Sequence, residues 1–524
     1  MASSWSLTPA FSLSLWALTG AIGCSLLLLY NFSAASAWTR KSRNRPPGPR
    51  GLPVLGNALQ LPLTFADRAF HEWGKTFGDV VYFEIFRTPA IVLNSIEAAR
   101  DLLDKRSATY SDRPRLVLLM EMLRARTVVG IPYGDQFRKR RKWMFDAAGN
   151  KATLRGYHSI QYREVRRLLH NLFRRPDESS EHLHLYLAGM LLEITFGRPV
   201  KTLDDELVHL AEQAIKGMNH AGRAGSVPVD FVPILRHIPS WMPGISFKRN
   251  AVLVRRYVEE YLDAGYNAVV SAMAAGTGEP CIFRSILEQY GGKPTPDEAD
   301  EIKGLGVDVY GAGVETSRGT LRTFMLAMAR NKAVLKKAQE ELDRVVGCER
   351  LPDFGDRESL PYVNALVEEV YRWNPPLPMA VPHRVTADDR YREHTIPAGC
   401  MMIPNVWAMS RDTRYYPEPE EFRPERHLGT EVKAGDDYVP PSSFVFGFGR
   451  RACPGQALAD ASIWLAIANI VALFDILKPV DKAGMEYTPP AKFTSAFSSE
   501  PESFACRIVP RSNSAVTMLA DLDA

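Results

Sequence analysis

The chain has 524 residues, of which 46% are hydrophobic and 24% are charged. This length allows about two to four domains, but no break in composition divides it, which favours one large domain behind an N-terminal segment. The net charge of +4 is too small, and the basic residues are too scattered, for a nucleic-acid-binding protein. Six cysteines stand far apart without a CxxC pair, which argues against a disulfide framework or a zinc site and for a reducing compartment.

An uncharged, apolar stretch from Ala10 to Tyr30 lies near the N-terminus. Its length is enough for a helix to cross a bilayer core of about 30 Å. Four basic residues follow between positions 40 and 45 and none precedes the stretch, so the positive-inside rule places the rest of the chain in the cytoplasm. The alternative is a cleaved signal peptide ending near Ala35–Ser36–Ala37, which the missing basic n-region disfavours.

Pro46–Pro47–Gly48–Pro49 comes next and cannot join a helix. It predicts a stiff extended spacer, although an ordinary proline-rich linker would have the same composition. Together these patterns predict three parts: a membrane anchor over residues 1–31, a basic and proline-rich hinge over 32–50, and a globular domain over 51–524.

Alternating apolar residues from Val80 to Leu93 predict two short strands, and the chain beyond them is mainly helical. Tyr133 to Arg141 opens a basic amphipathic helix. A proline-rich break, Val227 to Lys248, separates two helical stretches, and long loops of this kind tend to be functional. Further periodic runs predict helices over Asn331–Val346, Leu360–Trp373 and Gln456–Phe474. The pattern predicts a mainly α fold with a small β region.

A long helix is predicted from Ile302 to Met328, with an anomaly at Gly311–Ala312–Gly313–Val314–Glu315–Thr316–Ser317. Each glycine inside a helix costs about 1 kcal/mol against alanine, which indicates that the pair has a purpose. The glycines leave room for a ligand and ease a local break in the hydrogen-bond ladder. Glu315 and Thr316 place an acid beside an alcohol at this gap, which is suited to a proton relay. Close helix packing is the alternative explanation.

A single cysteine stands in the glycine-rich loop Phe446 to Gly455, before an apolar run that predicts a helix. A sulfur at a helix N-terminus is near free amides and the positive end of the dipole, which favours the thiolate of Cys453. Arg451 offers a cation to an anionic group. A lone thiolate with these neighbours suits the axial ligand of a haem iron, whereas a buried structural cysteine would not need this order of residues.

The loop resembles the haem-binding signature of the cytochrome P-450 family at Phe446, Gly449, Arg451, Cys453 and Gly455. The helix anomaly is also similar to the oxygen-activation motif of that family, through Ala312, Gly313, Glu315 and Thr316. These two motifs stand in the family's order. The resemblance implies haem b as the cofactor, with Cys453 as the axial ligand of its iron and with Phe446 and Arg451 beside it.

The resemblance also assigns residues to the haem propionates. The family usually carries Trp-x-x-x-Arg where this chain has Phe137 and Arg141, so one hydrogen bond would be lost while Arg141 keeps its ion pair. A solvated basic face is the alternative. His383, in Pro382–His383–Arg384, corresponds to a position that reaches a propionate, although an ordinary strand edge would have a similar pattern.

A second resemblance concerns Glu369 and Arg372, which stand three apart on one helix face. An exposed pair of this kind would contribute little to stability. In the family the pair is buried and held by a second arginine, here Arg426, and it supports the cysteine loop without taking part in chemistry.

The implied fold is a helical prism with a small β region, which makes 51–524 a haem-thiolate catalytic domain behind one transmembrane helix. The implied enzyme is a monooxygenase of the endoplasmic reticulum membrane, resembling fungal microsomal members of secondary metabolism. It would insert one oxygen atom from O2 into a lipophilic small molecule such as a terpenoid or polyketide. Because the chain has no flavin or nicotinamide fingerprint, electrons would come from NADPH-cytochrome reductase, with cytochrome b5 as a second candidate.

Two other functions remain open at this stage. A haem-thiolate isomerase or dehydratase would need no external electrons, and Thr316 argues against it. A non-catalytic haem sensor would have little need for the pair of Glu315 and Thr316. Apolar residues expected to line the substrate cavity are Val117, Leu118, Met120, Leu123, Val309, Met379 and Phe497, the last at the tip of a predicted hairpin from Phe493 to Val509.

Overall fold

The computed structural model describes residues 44–221, 228–240, 246–429 and 438–522. The predicted membrane anchor, most of the hinge and part of the proline-rich break lie outside these ranges. Within them the chain is mainly helical with eight short strands, which confirms the predicted balance of α and β structure.

The helices and strands have the following bounds. The α-helices before residue 292 are α1 (Ala66–Phe77), α2 (Ile96–Ala99), α3 (Ser107–Tyr110), α4 (Asp135–Ala148), α5 (Lys151–Gly156), α6 (His158–Arg174), α7 (Ser179–Phe196), α8 (Glu206–Ala221), α9 (Pro228–Phe231), α10 (Ser246–Ala274) and α11 (Ile282–Gln289). Those after it are α12 (Pro296–Gly306), α13 (Ala312–Arg330), α14 (Lys332–Val345), α15 (Pro361–Trp373), α16 (Val406–Met409), α17 (Gln456–Leu473) and α18 (Asn513–Asp521). The strands are β1 (Val80–Ile85), β2 (Thr88–Leu93), β3 (His383–Arg384), β4 (Asp389–Tyr391), β5 (His394–Ile396), β6 (Met401–Pro404), β7 (Phe474–Leu477) and β8 (Arg507–Pro510).

The largest sheet has four strands in the order β1-β2-β6-β3. β1 and β2 form the predicted antiparallel pair, with Val80 opposite Leu93 and Ile85 opposite Thr88. β6 lies parallel to β2, and β3 lies antiparallel to β6 with His383 opposite Met402. The sheet therefore fixes His383 at its edge.

The core lies around α17, the helix that follows the cysteine loop. Among the described residues α17 is the one helix long and apolar enough to cross a membrane, but most of it is buried inside the protein. Trp464 and Ile467 have no exposed surface, and the helix packs against α6, α13, α14 and α15. α17 is therefore apolar because it is a core helix. The cysteine loop leads directly into its N-terminus.

The long helix predicted from Ile302 to Met328 is divided into α12 and α13. A π-helical turn at Val307–Gly311 joins them, so the break in the ladder comes one turn before the position expected from the glycines. The Tyr261 hydroxyl donates a hydrogen bond to the Gly306 carbonyl (3.0 Å), where the ladder changes. The helix is therefore broken as predicted, but the break lies earlier in the chain than expected.

The hairpin predicted from Phe493 to Val509 forms only in its first part. Phe493 pairs with Pro501, and the Thr494 amide donates to the Glu500 carbonyl at 2.8 Å, which closes a turn. The rest of the prediction was wrong, because β8 pairs with β7, the strand that follows α17.

Candidate functional site

The cysteine loop turns sharply in front of α17. The Cys453 amide donates to the Phe446 carbonyl at 2.7 Å, and Gly447 and Gly449 adopt φ of 83° and 54°. A Cβ on Gly449 would lie 2.1 Å from the Leu103 carbonyl oxygen, so only glycine fits this approach. Gly455, by contrast, has an ordinary φ of −95°.

The Cys453 side chain lies three residues before the start of α17. Its side chain is accessible to solvent, yet burial raises the pKa of its thiol. The Gly455 amide and the Arg141 charge oppose this effect without reversing it. The amide at the helix N-terminus favours the thiolate, as expected, but desolvation of the sulfur disfavours the charge more strongly. A bound metal ion would remove the thiol proton.

Arg451 belongs to a group of four basic residues beside the loop. Its guanidinium is buried and donates to the carbonyls of Ser111 (2.7 Å), Val128 (3.2 Å) and Ile131 (2.7 Å). It also lies 3.7 Å from the centroid of the Phe137 ring. Burial, partly offset by nearby charges, lowers the pKa of Arg451 to about 10. Phe137 therefore makes a cation–π contact with the Arg451 guanidinium, which the sequence did not indicate.

His383 and Arg113 form the second side of this group, and the sequence analysis did not single out Arg113. Arg113 is 6% exposed and donates to the carbonyls of Val129, Val381 and Pro382 at 2.7–3.0 Å. Burial and the neighbouring Arg451 lower the pKa of Arg113. His383 is buried with Nδ1 2.7 Å from the Tyr110 carbonyl, and burial together with the Arg113 charge lowers its pKa.

Arg141, on α4, completes the group. It is half-buried, and it makes no ion pair or hydrogen bond with any residue of the described ranges. Its neighbour Arg140 instead pairs with buried Asp308 at 2.7 Å. We call Arg113, Arg141, His383 and Arg451 the basic cluster.

Among the described residues, the basic cluster has no neutralising carboxylate of its own. Asp112 acts on both Arg113 and Arg451, but its carboxylate is already paired with Arg384 and accepts from the Tyr133 amide at 2.9 Å. Buried cations with only carbonyl partners are unfavourable unless an anion joins them. The cluster is therefore suited to an anionic ligand.

The predicted pair of Glu369 and Arg372 is buried, as expected. Both side chains are fully buried, and two hydrogen bonds of 2.8 Å join them. Arg426 adds an ion pair at 3.3 Å, and His427, which the sequence analysis did not single out, adds a contact at 2.8 Å. Burial alone would raise the pKa of Glu369, but the Arg372 guanidinium and the contact with His427 lower it to about 2. The Arg423 amide also donates to Glu369, so the carboxylate holds the segment that leads to the cysteine loop.

Glu315 and Thr316 lie near the start of α13. The Thr316 hydroxyl donates to the Ala312 carbonyl one turn earlier, at 2.6 Å. The Glu315 carboxylate accepts from Asn219 of α8 and, at 2.6 Å, from the Ser498 hydroxyl. All of these residues border a small cavity of about 150 Å³ that also touches Phe497.

A large cavity of about 1560 Å³ lies beyond this small one. It is lined by four of the seven predicted residues, namely Leu118, Leu123, Met379 and Phe497. The other three predictions were wrong, because Val117, Met120 and Val309 line neither cavity. Val117 and Met120 belong to a π-helical turn, Val117–Met122, whose phase the sequence did not indicate; Val117 is fully buried and Met120 packs against Gly130.

Comparison with known proteins decides which family this site belongs to. A family model described as cytochrome P-450 matches residues 46–502. The chain belongs to the cytochrome P-450 family. Members of this family carry a haem whose iron is bound by a cysteine thiolate, so the cofactor predicted from the sequence is confirmed.

Several fungal cytochrome P-450 proteins are similar over most of the chain. Cytochrome P-450 monooxygenase 136 of Postia placenta is 41% identical over 507 residues, which cover 95% of this chain and 94% of the relative. Cytochrome P-450 monooxygenase COX2 of Coprinopsis cinerea is 35% identical, covering 95% and 94%. Cytochrome P-450 monooxygenase claR of Ampulloclitocybe clavipes is 38% identical, covering 90% and 88%.

The residues of this cytochrome P-450 fit a haem. An accessible sulfur at the N-terminus of α17 offers a ligand to iron, and the basic cluster offers cations that lack a carboxylate partner. A haem supplies both missing partners, a metal for the thiol and two carboxylates for the arginines.

Proposed function

We propose that this cytochrome P-450 is a membrane-anchored monooxygenase that inserts one oxygen atom from O2 into a lipophilic small molecule. The observation that carries the proposal is the pairing of the accessible Cys453 sulfur with a basic cluster that finds no carboxylate of its own in the described part of the chain. Haem iron held by a thiolate supplies the activation of O2. The relatives named above are all described as monooxygenases.

Each residue of the site has a defined task in this proposal. Cys453 binds the iron, and Phe446, whose carbonyl holds the Cys453 amide, fixes the loop. The charged members of the basic cluster, Arg113, Arg141 and Arg451, bind the haem carboxylates. His383 is neutral because burial lowers its pKa, and it contributes as a hydrogen-bonding group.

Glu315 and Thr316 would supply protons from the wall of the small cavity. Their proposed role is supported by the small cavity, which brings the carboxylate and the hydroxyl to the same wall. The Thr316 hydroxyl donates its hydrogen bond to the Ala312 carbonyl, so its oxygen can still accept a hydrogen bond from another group. An acid and an alcohol placed in this way can pass a proton into the small cavity.

The substrate proposed is a lipophilic metabolite such as a terpenoid or polyketide. The large cavity exceeds the usual range of about 300–1000 Å³ for small-molecule sites, so it accommodates a bulky substrate. Phe86, Phe231, Phe493 and Trp407 contribute aromatic surface to its lining.

The membrane anchor over residues 1–31 remains part of the proposal, with the catalytic domain facing the cytoplasm from the endoplasmic reticulum. Exposed apolar residues at the mouth of the large cavity support it. Leu59, Leu63 and Leu253 are 73%, 92% and 50% exposed and line the cavity. A lipid surface would cover them and deliver lipophilic substrates directly. Electrons would come from NADPH-cytochrome reductase, with cytochrome b5 as a second donor.

The test uses microsomes that contain the full-length protein and a fungal reductase. NADPH consumption and product mass are measured on a panel of lipophilic metabolites, and the reduced carbon monoxide spectrum reports thiolate ligation. We expect a reductase-dependent gain of one oxygen, lost in Cys453→Ala together with the thiolate spectrum and diverted to hydrogen peroxide in Thr316→Ala. Turnover that ignores NADPH would contradict the proposal and indicate a rearranging enzyme.

A further inference from the structure

The carboxylate of Glu315 is held between two parts of the chain that are distant in sequence. Asn219, near the end of α8, donates its side-chain amide to one oxygen, and Ser498 donates its hydroxyl to the other at 2.6 Å. Both donors border the small cavity with Glu315 and Thr316. The carboxylate therefore has one partner on each side, and both partners are neutral.

Ser498 belongs to a turn that is hydrogen-bonded to the segment after α15 and packs against α13. The next residue, Ser499, donates through its amide to the Pro376 carbonyl at 2.8 Å and through its hydroxyl to Asn374 at 2.9 Å. The Ser499 carbonyl also lies so close to Gly319 that a Cβ there would be 3.2 Å from it. Ser498 is thus a donor at a defined position.

The helix alone cannot aim Glu315 at Thr316. Successive residues of an α-helix point about 100° apart, so their side chains do not face each other. A glutamate side chain also has several rotamers to choose from. Its position relative to the Thr316 hydroxyl must be set by groups outside α13, and the described contacts of its carboxylate are Asn219 and Ser498.

We propose that Asn219 and Ser498 are positioning residues that hold the Glu315 carboxylate at the wall of the small cavity. This inference rests on the proposed role of Glu315 in proton delivery. With both donors in place the carboxylate stays beside Thr316 and can exchange protons with water in the cavity. Without them it rotates away, and reduced oxygen leaves as hydrogen peroxide.

The experiment compares Asn219→Ala, Ser498→Ala and Glu315→Ala in the full-length holoenzyme with reductase and NADPH. Because no substrate is needed, the measured quantity is the ratio of hydrogen peroxide to water formed from O2. We expect the ratio to rise about tenfold in each donor variant, since a hydrogen bond to a charged group is worth about that factor. Ser499→Ala is the matched control, because it removes a hydroxyl from the same turn that serves Asn374 instead of Glu315.

A structural effect is separated from a positioning effect by repeating the donor variants in the Glu315→Ala background. Positioning predicts that Asn219→Ala and Ser498→Ala have no further effect there, because their target is gone. A further rise would overturn the inference, as would an unchanged ratio in both donor variants when Glu315→Ala alone raises it. If Glu315→Ala leaves the ratio unchanged, the proposed role of Glu315 fails, and the inference fails with it. Asn219→Gln and Ser498→Thr should restore most of the wild-type ratio.

A second measurement tests the contact without turnover. Hydrogen exchange, followed by mass spectrometry on the full-length protein, should be faster at the C-terminal end of α8 in both Asn219→Ala and Glu315→Ala. Ser499→Ala should leave that segment unchanged. Equal exchange in all variants would contradict the contact.

Discussion

At the scale of single residues, the site depends on cations that are buried without a carboxylate partner. Arg451 and Arg113 are both satisfied by backbone carbonyls, which orient each guanidinium without cancelling its charge. Arg451 stands in a recognisable motif. Arg113 stands in Ser111–Asp112–Arg113–Pro114, where a polar run with a proline gave no signal beyond a turn.

Arg113→Leu is expected to weaken haem binding. The change removes a charged donor to the haem carboxylates, and one such bond is worth about 1.5–3 kcal/mol, or about 10- to 100-fold in affinity. Haem loss to an excess of apomyoglobin measures the effect. Arg113→Lys keeps the charge but loses the forked geometry, so it should show an intermediate rate.

The control for this variant is Arg115→Leu, two residues after Arg113. It breaks an ion pair between Arg115 and Glu121 near the surface. It should leave haem loss unchanged. Equal rates for wild type and Arg113→Leu would mean that Arg113 serves only to join the segments at Val129 and Pro382.

At the scale of elements, a half-buried carboxylate joins α9 to the π-helical turn at Val117–Met122. Asp230 accepts from the Leu118 amide at 3.0 Å, and burial raises its pKa to about 6. Leu118 and Phe231, which flank this contact, both line the large cavity. The wall of the cavity is therefore sensitive to the protonation of one residue.

Asp230→Asn is expected to stabilise the protein at neutral pH but not at low pH. Since the folded state binds the Asp230 proton more tightly than the unfolded chain, stability falls as pH rises between about 4 and about 6. The amide keeps an acceptor oxygen for Leu118 and carries no charge. We expect a gain of about 2 kcal/mol near pH 7 that vanishes near pH 4.

Thermal unfolding across this pH range measures the difference between the two proteins. Asp204→Asn makes the same change at an exposed position and is the control. A constant offset between wild type and Asp230→Asn at all pH values would contradict the raised pKa of Asp230.

The network around Glu369 is the second feature at this scale. Glu369→Ala would leave Arg372 and Arg426 buried without their counter-ion, which costs about 3–5 kcal/mol. We expect a large fall in the midpoint of thermal unfolding and loss of the thiolate spectrum, because the segment before the cysteine loop is released. Lys336→Ala breaks an exposed helical pair with Glu340 and should change the midpoint little. A similar fall in both variants would contradict the proposed support of the loop.

At the scale of the whole molecule, the haem is expected to hold together parts of the chain that otherwise repel each other. The basic cluster draws residues from β3, α4, the cysteine loop and the segment after α3. A ligand that binds only the folded state stabilises it in proportion to its affinity, by about 4 kcal/mol at 1000 times the dissociation constant.

Removal of haem should therefore lower the midpoint of thermal unfolding, and adding haem back should restore it. Haem dimethyl ester is a matched control, because its carboxylates are esterified while its iron is unchanged. We expect the ester to restore much less stability than haem does. Equal stabilisation by the two ligands would contradict the role assigned to Arg113, Arg141 and Arg451.

Much of the local structure followed from the sequence. The helices α14, α15 and α17 begin and end within one residue of the predicted bounds. Gly347 and Pro375 mark the ends of α14 and α15, whereas α17 is a continuous apolar run. Predictions failed where the backbone departs from the α-helical phase. The π-helical turns at Val117–Met122 and Val307–Gly311 rotate side chains away from their expected direction. The composition of the first turn does not mark it, and the glycines near the second predicted a break but not its position.

The sequence by itself determined the family motifs and the cysteine that defines the chemistry, because these depend on residue types at short, fixed spacing. Only the tertiary structure decided which groups meet across the chain. Arg113, Asn219 and Ser498 act through long-range contacts that local patterns do not encode. The tertiary structure also added a desolvation of the Cys453 thiol that outweighs the helix N-terminus, because desolvation depends on the atoms packed around the sulfur and not on its neighbours in the chain.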